Sequence, residues 1–177
     1  MSAMLLNHRE RGSGSAVVLM HGMFGSLGNL GSVARALGEN FRTLNVDLRN
    51  HGGSPHDPSM DLSSMAADVV ATLDSLGVER AALLGHSLGG KVAMQAALSY
   101  PERVAKLVVA DIAPVRYVQS HSPIIEALGV IEQSEIGDRK EADSILAAYE
   151  NDLGVRGFLL QNLLRGEDGK YRLRLNL

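Results

Sequence analysis

The segment from Ala81 to Leu98 limits the possible folds of this chain more than any other. It begins with Ala81-Ala82-Leu83-Leu84, an apolar run that is too short and too continuous for an amphipathic helix. Such a run predicts a buried strand of a parallel sheet. Gly85-His86-Ser87-Leu88-Gly89 follows, and the small residues of Gly90–Leu98 then predict a helix. Strand, G-x-S-x-G and helix, in that order, form the context that a nucleophile elbow requires.

The elbow assigns a chemical role to Ser87. Its turn is so tight that Gly85 and Gly89 must lack side chains, and it holds Ser87 in a strained position with the hydroxyl exposed. The amide of Leu88 is the expected first oxyanion donor, because the start of a helix carries partial positive charge. The alternative is a glycine-rich turn in which Ser87 has no chemical role, since a bare G-x-S-x-G also occurs by chance.

Composition narrows the range of partners. The chain has 177 residues, enough for one domain with a core, and its net charge of −3 with scattered arginines points to neither nucleic acid nor an anionic membrane. It has no cysteine, which excludes disulfides, thiolate zinc sites and a cysteine nucleophile. The spacing of the histidines does not suggest a metal site. We find neither a signal peptide nor an apolar run long enough to span a membrane, so we expect a cytoplasmic location.

Strands and helices are predicted to alternate up to Asp111. The predicted strands are residues 4–9, 16–20, 42–46, 81–84 and 104–110, the last of them buried. The predicted helices are residues 30–37, 62–76 and 90–98, and Asp61 can cap the second of them. Alternation with short connections is typical of an α/β fold, a doubly wound and mostly parallel sheet. The pattern then changes: residues 122–164 are predicted to be helical throughout, and residues 171–177 alternate like a half-buried strand.

Two more parts of an acyl-transfer site follow predicted strands. The glycine-rich loop His21–Ser26 offers the amide of Met23 as the second oxyanion donor, although it could also be a plain strand-to-helix turn. Asp111 ends the strand after the elbow strand, where catalytic groups gather in such sheets. It could orient the catalytic base, or it could only cap a turn, and spacing does not decide between the two. Asp47 also ends a strand, and we expect it to stabilise the turn at Arg49–Gly53.

The general base is difficult to place. In chains with this elbow the order is serine, then acid, then histidine, and no histidine follows His121. His86 adjoins the nucleophile, so its side chain is expected to point elsewhere, and His21 is expected to be structural. The others are weak candidates. The six histidines are His8, His21, His51, His56, His86 and His121.

Four motifs carry a resemblance to a known family: His21–Ser26, Asp47–Gly52, Gly85–Lys91 and Asp111–Val115. With them the chain resembles the α/β-hydrolase superfamily. It is most similar to the group of small esterases and acyl-CoA thioesterase-like proteins of the YbfF type. The resemblance implies that Ser87 is the nucleophile and that the acid is Asp111. It also implies a helical lid inserted after the strand that ends at Asp111.

The resemblance also implies a domain organisation. Residues 1–113 are the expected hydrolase core, C-terminally incomplete, and residues 114–177 are the expected lid. Members of the family are longer, so the last core strands and the catalytic histidine are expected to be missing from this chain. Phe24, Tyr117 and Phe158 are expected to line an apolar acyl pocket.

The predicted function is therefore hydrolysis of small-molecule carboxylic esters or acyl thioesters through an acyl-enzyme on Ser87, without a cofactor. The alternative is a hydrolase-fold pseudoenzyme or binding protein, or an inactive fragment, because the histidine is missing. The sequence decides neither the acyl specificity nor the oligomeric state.

Overall fold

The computed structural model describes residues 3–115, residue 117 and residues 122–177. The chain divides into two compact units, Met1–Val115 and Arg116–Leu177. The boundary expected between residues 113 and 114, and the role of the second unit as a lid, stay predictions.

A five-stranded sheet forms the centre of the first unit, in the order β1-β3-β2-β4-β5. Its strands are β1 His8–Arg11, β2 Ala16–Met20, β3 Arg42–Val46, β4 Ala81–His86 and β5 Val104–Ala110. Only β1 runs antiparallel to its neighbour, so the expected mostly parallel sheet is confirmed. The strand predicted at residues 4–9 forms later, at His8, because the preceding residues bond elsewhere. The amide of Leu6, for example, donates to Thr72 Oγ1 at 3.0 Å.

Three helices pack around this sheet: α1 Gly31–Leu37, α2 Leu62–Ser75 and α3 Leu88–Ser99. Asp61 caps α2 by accepting the amide of Ser64 at 2.9 Å, as the sequence predicts. The main core joins α2 and α3 to one sheet face, and Val17, Leu19 and Ala34 form a smaller cluster on α1. The sheet is therefore covered on both faces, and the carboxyl ends of its parallel strands are left to carry a site.

Strand β5 is an edge strand, as expected for a core without its last strands, and the prediction that residues 104–110 are buried is wrong. Among the described strands β4 alone pairs with it, and most of its side chains are exposed, including Leu107 and Val108 at 42% and 50%. Apolar residues do not ensure burial where the sheet ends. An exposed apolar edge of this kind invites pairing with another strand.

We expect the 177-residue chain to self-associate through β5. Replacing Val108 with lysine should shift the chain toward the monomer, because a charge on an edge strand opposes edge-to-edge pairing. Size-exclusion chromatography with light scattering, over a range of concentrations, measures the effect. Leu98→Lys is the control, since Leu98 is exposed on α3 and lies off the edge. A wild-type chain that stays monomeric at every concentration would contradict the prediction.

In the part of the second unit that the structure describes there are three α-helices, a short 3-10 helix at Leu160–Asn162 and a small hairpin. The helices are α4 Ser122–Gln133, α5 Arg139–Ala147 and α6 Leu153–Leu159, and the hairpin strands are β6 Leu163–Arg165 and β7 Tyr171–Leu173. The prediction of helix without strand over residues 122–164 is thus wrong at β6, which pairs with β7 instead of extending the helix. No helix among the described residues is long and apolar enough to cross a bilayer.

Candidate active site

Ser87 connects β4 to α3 in an unusual backbone conformation. Its φ is 50° and its ψ is −112°, a region that residues with side chains rarely occupy. The amide of Ser87 donates to the carbonyl of Ala110, at the end of β5, over 2.9 Å. The hydroxyl-bearing residue is therefore held at the carboxyl end of the sheet, between two parallel strands, and it remains partly accessible.

The two glycines of the elbow are required by close backbone contacts. A Cβ on Gly85 would overlap the backbone of Gly89, and a Cβ on Gly89 would overlap the backbone at Met20 and His21. Strand β4, the start of α3 and the end of β2 therefore meet at distances that only glycine permits.

The loop after β2 forms a tight turn beside the elbow. The amide of Gly25 donates to the carbonyl of Gly22 at 3.0 Å, which closes the turn. Phe24 occupies its third position with a φ of 61°, where glycine is the usual residue. The amide of Gly89 donates to the carbonyl of His21 at 3.0 Å, so a direct hydrogen bond fixes the loop to the start of α3.

Two amides remain as donors at this junction. The backbone amides of Phe24 and Gly25 already donate hydrogen bonds, to His51 and to the carbonyl of Gly22. The amide of Ser87 likewise donates to the carbonyl of Ala110. Within the described part of the chain, no acceptor takes a hydrogen bond from the amide of Met23 or of Leu88. These are the two oxyanion donors that the sequence predicts, and Leu88 is the first residue of α3, where the helix dipole adds partial positive charge.

Asp111 lies close to the elbow. It follows Ala110, the residue whose carbonyl accepts the Ser87 amide, and it has a φ of 56°. Its carboxylate is 85% exposed, and Oδ2 lies 3.5 Å from Nε2 of His86. The His86 ring thus points toward Asp111. The structure places Ser87 and Asp111 at the neighbouring carboxyl ends of β4 and β5, where a backbone hydrogen bond from Ser87 to Ala110 connects the two strands.

His21 and His51 are buried and cannot act as the base. Nδ1 of His21 bonds the carbonyl of Gly22 at 2.7 Å, and its Nε2 accepts the amide of Leu48 at 3.0 Å. His51 is bonded in the same way, to a carbonyl through Nδ1 and to the Phe24 amide through Nε2. Neither ring has a nitrogen left for the proton of Ser87. His121 lies outside the described residues.

Asp47 is structural, as the sequence predicts. Its Oδ2 accepts the amide of Gly53 at 2.8 Å, and its Oδ1 accepts the amide of Leu27 at 2.6 Å. A Cβ on Gly52 would overlap this carboxylate. Asp47 therefore fixes the turn after β3 and also holds it against the segment after the loop His21–Ser26, which carries the proposed oxyanion donor Met23 and is called the oxyanion loop below.

Sequence reasoning missed a buried ion pair next to this turn. Arg49 contacts Asp68 of α2 through two hydrogen bonds, Nε to Oδ2 at 2.6 Å and Nη2 to Oδ1 at 2.8 Å. The side chains are 1% and 0% exposed. Hydrogen bonding to Asp68 raises the pKa of Arg49, and burial opposes that rise. The available signal was an aspartate at position 68, between Met65 and Val69 on the buried side of α2.

The residues expected to line a pocket are distributed over both units. Phe24 is half-buried in the first unit, whereas Tyr117 and Phe158 belong to the second, where Tyr117 is exposed and Phe158 half-buried. Their common role in a pocket stays a prediction. Among the described residues, no three histidine or acidic side chains are grouped so that they could hold a metal ion.

Residues 15–134 match the family described as the alpha/beta hydrolase fold, and the chain belongs to that family. Esterase YbfF of Escherichia coli K12 is 44% identical over 154 residues, which cover 86% of this chain and 61% of that protein. The sn-1-specific diacylglycerol lipase ABHD11 of Mus musculus is 42% identical over 170 residues, 92% of this chain and 55% of that one.

A solved structure, a marine microorganism esterase, superposes with a TM-score of 0.93 at 41% identity, covering 98% of this chain and 69% of its own. The family resemblance inferred from the motifs is confirmed. The chain spans between half and two thirds of the length of the two curated relatives named above.

Proposed function

We propose that this chain carries the nucleophile and the oxyanion hole of a serine hydrolase that cleaves carboxylic esters or acyl thioesters. The strained elbow supports this most directly, because Ser87 has a φ of 50°. The amides of Met23 and Leu88 also donate to no acceptor among the described residues, so they can bind an oxyanion. Strain of this kind persists only where the surrounding structure enforces it. The relatives named esterase and diacylglycerol lipase support an ester as the substrate.

The proposed reaction has two halves. In the first, the Ser87 hydroxyl oxygen attacks the acyl carbon while a histidine takes the hydroxyl proton. The amides of Met23 and Leu88 bind the oxyanion, and collapse of the intermediate expels the alcohol or thiol, which receives that proton. In the second half, water attacks the acyl carbon of the acyl-enzyme. The carboxylic acid product is released, and the Ser87 oxygen regains its proton.

The general base is proposed to be a histidine outside residues 1–177. His21 and His51 are bonded on both ring nitrogens, and the known order of the triad places the histidine after the acid. The exposed carboxylate of Asp111 is proposed to orient that ring. We also propose that the second unit is the lid and that Tyr117 and Phe158 line the acyl pocket together with Phe24. The cytoplasmic location stays a prediction.

Covalent labelling tests this function in a longer form of the protein that includes the histidine. A fluorophosphonate probe should form one adduct, located by mass spectrometry in the peptide that contains Ser87. An excess of p-nitrophenyl butyrate that is present during labelling should slow formation of this adduct. An adduct on another residue, or none at all, would favour the alternative of a binding protein with the hydrolase fold.

The 177-residue chain alone is expected to hydrolyse p-nitrophenyl butyrate only slowly. An oxyanion hole without an activated nucleophile retains a rate acceleration of roughly 10³–10⁴-fold over the uncatalysed reaction, which is far below that of a complete site. Initial rates of the purified chain, compared with those of the longer form, measure this difference. Turnover of the short chain at the rate of the longer form would show that one of its own histidines is the base.

A further inference from the structure

We propose that His51 and His21 are positioning residues that hold the oxyanion loop in its active shape. The name histidine clasp is used below for these two rings and the backbone amides that donate to them. The amide of Phe24 donates to His51, and the amide of Leu48 donates to His21. The proposal rests on the proposed function, because it concerns the amide of Met23 as an oxyanion donor.

His51 reaches from the turn after β3 to the oxyanion loop. Its Nε2 accepts the amide of Phe24 at 3.1 Å, and its Nδ1 lies 2.8 Å from the carbonyl of Arg49. Because a carbonyl can only accept, Nδ1 carries the proton and Nε2 is the acceptor. The ring is thus fixed to its own turn and holds the neighbouring loop by the backbone.

His21 makes the same connection in the opposite direction. It belongs to the oxyanion loop, and its Nε2 accepts the amide of Leu48, which precedes the turn of His51, at 3.0 Å. Its Nδ1 bonds the carbonyl of Gly22 at 2.7 Å. The two rings lie 5.1 Å apart, tilted by 55°, and both are buried. Each loop therefore contributes one ring and one amide.

The clasp acts on the residue where the loop is strained. Phe24 has a φ of 61°, a conformation that bulky residues adopt only under constraint. Its amide belongs to the peptide that joins it to Met23, so the bond to His51 fixes the plane of that peptide. Without the acceptor, Phe24 can return to negative φ. The turn would then rotate, and the amide of Met23 would no longer point toward the oxyanion.

The side of the clasp that carries His51 is itself rigid. Asp47 accepts the amide of Gly53 in the same turn, and Arg49 is fixed to Asp68 through two hydrogen bonds. The Arg49 carbonyl, which Nδ1 of His51 contacts, is therefore part of a buried and well-bonded segment. This arrangement transfers the rigidity of the turn after β3 to the oxyanion loop.

Variants at position 51 separate positioning from a general contribution to stability. In the longer form of the protein, His51→Ala should lower kcat by about 10²–10³-fold and change KM by less than about threefold, because an oxyanion donor acts in the transition state. His51→Gln retains an acceptor at the distance of Nε2 and should recover to within about tenfold of wild type. His56→Gln, on the same loop but exposed, is the control and should change neither parameter.

Hydrogen exchange of the Phe24 amide provides a readout that does not depend on catalysis. Protection of this amide should be lost in folded His51→Ala and kept in His51→Gln, with circular dichroism confirming the fold of each. Should His51→Ala not fold, His51→Gln decides: a protected Phe24 amide with near-normal kcat supports the clasp.

Three results would overturn the inference. One is a folded His51→Ala with wild-type kcat, and another is a Phe24 amide as protected in that variant as in wild type. The third is a folded His51→Gln with a protected amide but a kcat as low as that of His51→Ala. Failure of the proposed function would give a different result, namely wild-type turnover that does not depend on Ser87. The exchange measurement would still test the clasp in that case.

Discussion

Replacing Ser87 with alanine is expected to lower kcat by about 10⁶-fold in the protein that carries the histidine base, the largest effect of any single change in the site. The hydroxyl oxygen of Ser87 is the atom that forms the acyl-enzyme, and the described site offers no second nucleophile at the same position in the elbow. Binding of substrate should change little. Hydrolysis of p-nitrophenyl butyrate and fluorophosphonate labelling, measured side by side, should fall together.

Two companion variants make the Ser87 result specific. Ser63→Ala, at an exposed position of α2, should leave kcat unchanged. Asp111→Asn should lower kcat by roughly 10⁴-fold if its carboxylate orients the histidine, by analogy with the buried aspartate of a serine protease triad. Labelling that survives in Ser87→Ala would remove Ser87 as nucleophile, and an unchanged kcat in Asp111→Asn would leave Asp111 as a turn residue.

The sequence predicts the elbow well because its signal is local. The apolar run at 81–84, the glycines that flank Ser87 and the small residues of α3 constrain one continuous segment, and the backbone follows them. The cap of α2 at Asp61 was predictable for the same reason. Each of these features depends on residues within a few positions of one another, which a reading along the chain can detect.

Long-range contacts explain what the sequence did not predict. The Arg49–Asp68 pair joins residues 19 positions apart, and the clasp joins residues 27 positions apart. Nothing in the spacing of His21 and His51 shows that each ring accepts an amide of the other loop. Strand β5 illustrates the same limit, because the burial of Leu107 and Val108 depends on whether a second strand pairs with β5 and not on their own side chains.

The second large effect concerns stability. Arg49→Met is expected to lower the free energy of unfolding by about 3–5 kcal/mol, because the carboxylate of Asp68 stays buried without its cation. Asp68 is 0% exposed, and its two short hydrogen bonds to Arg49 replace the water it loses on folding. A loss of this size is a large share of the roughly 5–15 kcal/mol that stabilises a typical domain. Urea denaturation followed by circular dichroism measures it.

Arg42→Met is the matched control, because it makes the same substitution in an ion pair, with Glu10, that solvent reaches. Exposed pairs contribute about 0–1 kcal/mol, so the control should remain close to wild type. The double variant Arg49→Met with Asp68→Leu should be less destabilised than the sum of its two single variants, since neither charge is left alone in the core. Equal losses for Arg49→Met and Arg42→Met would show that burial adds nothing to the pair. The rigidity of the turn that carries His51 would then come from its other hydrogen bonds, such as those that Asp47 and Asn50 make.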